Sequence, residues 1–202
     1  MKKLFGLAMV FAAVVSTQAR AEAKVGEAAP AFELKDVDGK AHSLASFKGK
    51  TVVLEWLNHE CPFVKKHYDS GNMQKLQESA TKDGVIWLSI ASSAPGKEGY
   101  MDAVTTKKVS AEKKSKATAV LLDASGAVGK VYGAKVTPHM YVIDGTGKLV
   151  YNGAIDDKAS TKVEDVKGAK SYVSEALASV KKGEAVKVSA TKPYGCGVKY
   201  KD

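Results

Sequence analysis

The stretch Thr51-Val-Val-Leu-Glu-Trp-Leu-Asn-His-Glu-Cys61-Pro62-Phe-Val-Lys-Lys-His67 changes its period halfway along, and that change decides the fold. From Thr51 to Leu57 the residues are β-branched or large and apolar, with Glu55 as the exception, which is the pattern of a strand covered on both faces. Beyond Pro62 the positions Phe63, Val64, His67, Tyr68, Met73 and Leu76 recur at spacings of three and four, so the spacing predicts a helix over about Pro62 to Ala80. Proline is favoured at a first helical position because the N–H it lacks would have no partner there, and Cys61 is therefore the expected N-cap.

A helix start has unpaired N–H groups and the positive end of the macrodipole, so it favours an anion such as a thiolate. Thiols placed there lose their proton more readily and react faster. Lys65, one turn on, and Lys66 beside it either add to this field or form a solvated face. His59, two residues before Cys61, is a candidate base or proton carrier; the alternative is a loop histidine exposed at the strand end. For Cys61 the alternative to a reactive thiol is a small buried hydrophobe. Strand, Cys-Pro and helix in succession favour the thiol.

The chain of 202 residues fits one domain with a core of ordinary size once its start is set aside. Met1-Lys2-Lys3, the apolar run Leu4 to Val15, and Ala19-Arg20-Ala21 make a positive n-region, an h-region and an A-x-A cleavage site. Residues 1–21 are thus expected to be a secretory signal peptide, and residues 22–202 a single domain ending in a cysteine-bearing tail. The apolar run is short for a membrane span and no cysteine follows it to accept a lipid, so the expectation is a soluble periplasmic protein with no stable membrane anchor.

Cleavage removes Lys2, Lys3 and Arg20 and no acid, so the net charge falls from +9 to +6 and no arginine remains. Nucleic-acid recognition leans on arginine for bidentate contacts, so nucleic acid is not an expected partner. The lysine pairs Lys107-Lys108 and Lys113-Lys114 read as solvated faces.

The remaining elements follow from local patterns. Pro30 to Leu34 reads as a short strand and Asp36 to Lys40 as a turn; this Asp-x-Asp-Gly fragment lacks the later ligands of a calcium loop. Val85 to Ile90 is a second buried strand, Tyr100 to Lys116 a helical stretch, Val120 to Asp123 a third strand, and Val128 to Tyr132 a brief helix closed by Gly133. Val136 to Asp144 and Lys148 to Asn152 form an antiparallel hairpin across Gly-Thr-Gly, and Ala169 to Lys182 an amphipathic helix ended by Gly183. The tail Lys192 to Tyr200 reads as a mobile glycine-rich loop carrying Cys196. The order amounts to an α/β fold with a central mixed sheet flanked by helices.

From Val25 to Lys182 the chain resembles the redoxins, thioredoxin-fold proteins that include peroxiredoxin-like proteins and exported thiol-disulfide oxidoreductases. The residues that carry the likeness are Gly26-Glu-Ala-Ala-Pro30-Ala-Phe32, Leu44 to Gly49, Trp56 before Cys61-Pro62, and Thr137-Pro138 before a strand ending Ile143-Asp144. The resemblance implies a cis Pro138 lying against the reactive cysteine, with the Thr137 backbone as an edge for a substrate peptide or mixed disulfide. There are departures. Val64 stands where a Cys-x-x-Cys motif would place its second thiol, and Asn58 stands where a peroxiredoxin has Thr or Ser.

Two cysteines allow one intramolecular pairing. Cys61 is read as the nucleophile toward a protein disulfide or a peroxide, and Cys196 as the thiol that resolves the product for an unidentified reductant. Thr137, Pro138 and Asn58 are the candidate substrate-binding residues, with His59 and Lys65 in support. No cofactor is required. A permanent Cys61–Cys196 staple is the structural alternative, stabilising by ~5 kcal/mol from chain entropy. A different class of function, copper binding on the same fold, would use Cys61, Cys196, His59 and His139 as soft ligands.

Overall fold

The computed structural model describes residues 22–201; the expected signal peptide lies outside them. In chain order the elements are β1 (Glu33–Asp36), β2 (Ala41–Ser43), β3 (Val52–Trp56), α1 (Pro62–Asp69), α2 (Asn72–Lys82), β4 (Ile86–Ala91), α3 (Ala103–Glu112), β5 (Ala119–Leu122), α4 (Ala127–Tyr132), β6 (Val136–Thr137), β7 (His139–Ile143), β8 (Leu149–Gly153), α5 (Tyr172–Lys181) and β9 (Cys196–Gly197). Seven strands form one mixed sheet in the order β2-β1-β5-β4-β3-β7-β8, and β6 and β9 form a separate pair.

Every residue of β3 is buried, as its apolar run requires. Successive side chains of a strand point to opposite faces, so Val52, Leu54 and Trp56 enter one core with Leu88, Ile90, Leu121, Tyr132 and Tyr141. Val53 enters the other, with Val64, Tyr68 and Met73 of α1 and α2, Met140 and Val142 of β7, and Val173 and Ala176 of α5. Trp56 carries much of the first core: its ring lies 5.0 Å from Tyr141 and 5.5 Å from Tyr132, and its Nε1 donates to Ser92 Oγ at 3.0 Å.

Register positions the site. β3 runs parallel to β4 and antiparallel to β7, pairing Val52 with Ile143 and Trp56 with His139. The end of β3 therefore lies beside the start of β7, and the peptide bond just before β7, Thr137-Pro138, is cis. The exit of the central strand and the turn before His139 share one end of the sheet.

Several expectations need correction. The helix expected over Pro62–Ala80 is two helices: Gly71, with φ of 74°, ends the first path and caps the second, a left-handed conformation that glycine adopts without a Cβ clash. The first strand starts at Glu33 rather than Pro30, and β2 was not foreseen. Its hairpin uses the expected turn, in which Asp36 Oδ1 accepts from the amides of Asp38 (2.9 Å) and Lys40 (3.0 Å). The tail is no loose loop, because Cys196-Gly197 is a strand paired with β6.

Candidate active site

Cys61 is the N-cap of α1, with Pro62 in the first turn, and its carbonyl accepts from Val64 N at 3.0 Å and Lys65 N at 2.9 Å. Its side chain does not cap the helix. The sulfur instead donates to the Thr137 carbonyl at 3.1 Å and accepts from the Cys196 backbone N–H at 3.4 Å. Cys61 is 2% exposed, enclosed by the second core on one side and the tail on the other. Cys196, in register with Thr137, is half-buried, and both thiols are free.

Burial, then a hydrogen bond to Cys61 and the charge on Cys61, push the Cys196 thiol up to about 12. Cys196 therefore stays protonated at neutral pH, and the hydrogen bond to Cys61 is one of the groups that hold it so.

The structure brings Cys61, Cys196, Thr137 and the cis Pro138 together. Asn58, also buried, accepts from Glu60 N at 2.8 Å, and its amide packs against Gly99, whose N–H donates to Glu60 Oε2 at 3.0 Å. Lys65 is exposed. Lys66, read from the sequence as a helper of Cys61 or a solvated lysine, is neither: it is 1% exposed, donates to the Lys158 carbonyl at 2.6 Å and lies 4.0 Å from Asp156 Oδ2. His59 is buried rather than exposed in a loop, with its ring 5.2 Å from Tyr68 and its Nε2 3.5 Å from Ser110 Oγ. Burial, with a smaller contribution from Lys113, lowers His59 to about 4, so its imidazole is neutral at physiological pH.

His139 has both ring nitrogens engaged: Nε2 faces Asn152 Oδ1 at 2.7 Å, and Nδ1 accepts from Lys135 N at 3.3 Å. Among the described residues no group of three or more His, Cys, Asp or Glu side chains is placed to hold a metal ion.

Sequence reasoning gave no role to Glu55, the polar residue of β3. It is fully buried and accepts four hydrogen bonds, from Trp87 Nε1 and Ser89 Oγ at 2.8 Å each and from Gln77 Nε2 and Tyr68 OH at 3.1 Å each. Burial raises its pKa against the pull of those donors. The available signal was an acid inside an otherwise apolar strand, where a carboxyl must find several donors or not be there.

A second missed cluster lies under the tail. Tyr194 donates to Asp156 Oδ1, and its hydroxyl lies 3.3 Å from His67 Nε2; its ring is 5.5 Å from the Lys66 ammonium and 5.8 Å from the Phe63 ring.

Known proteins share this arrangement of sheet and helices. The Redoxin family profile matches residues 24–170, and the chain belongs to that family. It is similar to the thiol-disulfide oxidoreductase ResA of Geobacillus thermodenitrificans (strain NG80-2), 27% identical over 125 residues, which cover 62% of this chain and 66% of the relative, just under two thirds of the relative's length. Among solved structures, a hypothetical protein of Sinorhizobium meliloti 1021 superposes with a TM-score of 0.74 at 24% identity, covering 88% of this chain and 95% of that one. The exposed lipoprotein thioredoxin of Streptococcus pneumoniae strain TIGR4 superposes with a TM-score of 0.50 at 27% identity, covering 68% and 96%. The fold is thioredoxin-like, as the resemblance implied. No helix of the described residues is long and apolar enough to cross a membrane.

Proposed function

We propose that the chain is an exported thiol-disulfide oxidoreductase in which Cys61 attacks a partner's disulfide and Cys196 completes the exchange. The observation that carries this reading is the Cys196 N–H on Cys61 Sγ at 3.4 Å, beside the Thr137 carbonyl at the end of the central strand. Family membership and the named activity of the Geobacillus relative support it. A signal peptide over residues 1–21, leaving the domain from residue 22 in the periplasm, fits a disulfide-permissive compartment.

In the first step the Cys61 thiolate attacks one sulfur of the partner disulfide; that S–S bond breaks, and the other partner sulfur leaves as a thiolate and takes up a proton. Cys61 is then in a mixed disulfide and carries no charge. The charge a Cys61 thiolate would place beside Cys196, which after burial is one of the causes that raise the Cys196 thiol, is thereby removed. Cys196 gives up its proton more easily and attacks Cys61 Sγ, closing the Cys61–Cys196 disulfide and freeing the second partner thiol. Two electrons pass from the protein to the partner, and a dithiol reductant restores the starting state.

Peroxide is the less suited oxidant. Asn58, at the position where a peroxiredoxin polarises its substrate, directs its carbonyl to Glu60 and its amide to Gly99. The copper reading draws no support from His139, whose nitrogens are committed.

The test is intact-mass analysis during turnover of a peptide disulfide with a dithiol reductant. Cys61→Ser is expected to abolish turnover, and Cys196→Ser to stall as a mixed disulfide on Cys61. Wild-type turnover by Cys196→Ser would remove Cys196 from the cycle, and turnover by Cys61→Ser would overturn the reading.

A further inference from the structure

In this structure β6 pairs with the chain's own tail. Val136 lies opposite Gly197 and Thr137 opposite Cys196; Val198 N donates to the Lys135 carbonyl at 3.0 Å, and further along the tail Ala94 N, in the loop after β4, donates to the Lys199 carbonyl at 2.8 Å. Cys196 is thus presented to Cys61 from an extended strand, the geometry an incoming cysteine must adopt to react there. We propose that residues 194–198 occupy the partner-binding edge of β6, and that an extended, cysteine-bearing segment of a partner protein enters by replacing them. The proposal rests on Cys61 being the nucleophile.

Three observations show how the occupant is held and what it would resemble. Gly195 passes so close to β6 that a Cβ at this position would lie 2.0 Å from the Thr137 carbonyl oxygen, and its φ of 145° is one that other residues rarely adopt. A segment in this register needs glycine immediately before its cysteine. Two residues before the cysteine, Tyr194 fills the place between Phe63, Lys66, His67 and Asp156. An aromatic residue with a hydroxyl fits there. Finally, no residue from Thr191 to Lys201 is fully buried, whereas Cys61 and Thr137 are. The edge belongs to the core and its occupant to the surface, so the occupant can leave without unfolding the core.

The strand exchange orders the chemistry. The partner segment displaces the tail, its disulfide is attacked by Cys61, and its leaving sulfur departs with a proton. When the tail returns, Cys196 attacks Cys61 Sγ and takes back the edge, so closing the internal disulfide also expels the partner strand.

The probe is a synthetic peptide of residues 192–198 whose cysteine is joined through a disulfide to thionitrobenzoate, which is released as a coloured thiolate when Cys61 attacks the peptide sulfur. It is compared on Cys196→Ser and on Cys196→Ser with Gly195→Val, both as full chains, with Cys196→Ser and Tyr194→Ala as a second way to loosen the tail. Iodoacetamide labelling of Cys61 and hydrogen exchange at the Val198 and Ala94 amides are followed in parallel. The expected result is faster exchange at both amides and a rise of about tenfold or more in peptide capture on loosening, since capture scales with the fraction of molecules whose edge is open. A probe with valine before its cysteine is expected to gain far less. Equal capture rates with the tail released in exchange would overturn the proposal while leaving Cys61 reactive. A Cys61 that iodoacetamide fails to label in every variant would overturn the underlying reading of Cys61 as well.

Discussion

The two cysteines reach the same place by opposite means. Cys61 is delivered by the interior: a fully buried strand, a helix whose first turn is fixed by Pro62, and a second core that packs Val64 and Tyr68 beneath it. Cys196, 135 residues further on, is delivered by a strap of half-buried and exposed residues, held through Tyr194, Gly195, Val198 and Tyr200, whose hydroxyl donates to the Ala134 carbonyl at 2.6 Å. One thiol cannot move without disturbing the sheet, and the other can. A rigid thiol facing one on a surface strap is what the proposed two-thiol exchange needs, because a third sulfur must be admitted between them.

The contrast can be broken most forcefully from the interior. Trp56→Ala removes a wholly buried indole and should cost about 4 kcal/mol of global stability, read from the urea midpoint. A loss confined to the tail amides would contradict the division. Acid comes next. Burial holds His59, His67 and His139 at about 4, and the unfolded chain protonates each near 6.5. Between those values the unfolded state binds more protons. Stability is therefore complete above about pH 6.5 and falls as pH drops toward 4, by at most roughly 3 kcal/mol per histidine. His139→Gln should flatten that slope in urea titrations across the window, and an unchanged slope would show that His139 does not contribute. The smallest effect belongs to the strap. Tyr194→Phe removes the hydrogen bond to Asp156, worth about 1.5 kcal/mol, and should speed exchange at the Val198 amide while shifting the urea midpoint less than Trp56→Ala does. A midpoint shift as large as that of Trp56→Ala would place Tyr194 in the core.

What was legible in the sequence was local. The apolar run, Cys-Pro and the 3.6 period put Cys61 at a helix start, and Thr137-Pro138 with Trp56 pointed to the redoxins, the family the chain belongs to. The break at Gly71 was hidden because Met73 and Leu76 continue the helical spacing across it, although Ser70-Gly71-Asn72 was a usable turn signal. Lys66 and the strap were beyond local reading. The partners of Lys66 are Asp156 and the Lys158 carbonyl, about 90 residues away in sequence, and a two-residue strand such as β9 has no period to detect; its partner alone defines it. Glu55 looked anomalous because its donors come from α1, α2 and β4.

The chain has two tryptophans, both wholly buried, and the alternation of faces assigns one to each core. Trp56 stands five residues ahead of Cys61 on the strand that leads to it, and Trp87 gives its indole proton to Glu55. Intrinsic emission can therefore be assigned to a side of the sheet. With Trp87→Phe the remaining fluorophore watches the face of Tyr132 and Tyr141, and with Trp56→Phe it watches the carboxyl nest above α1 and α2.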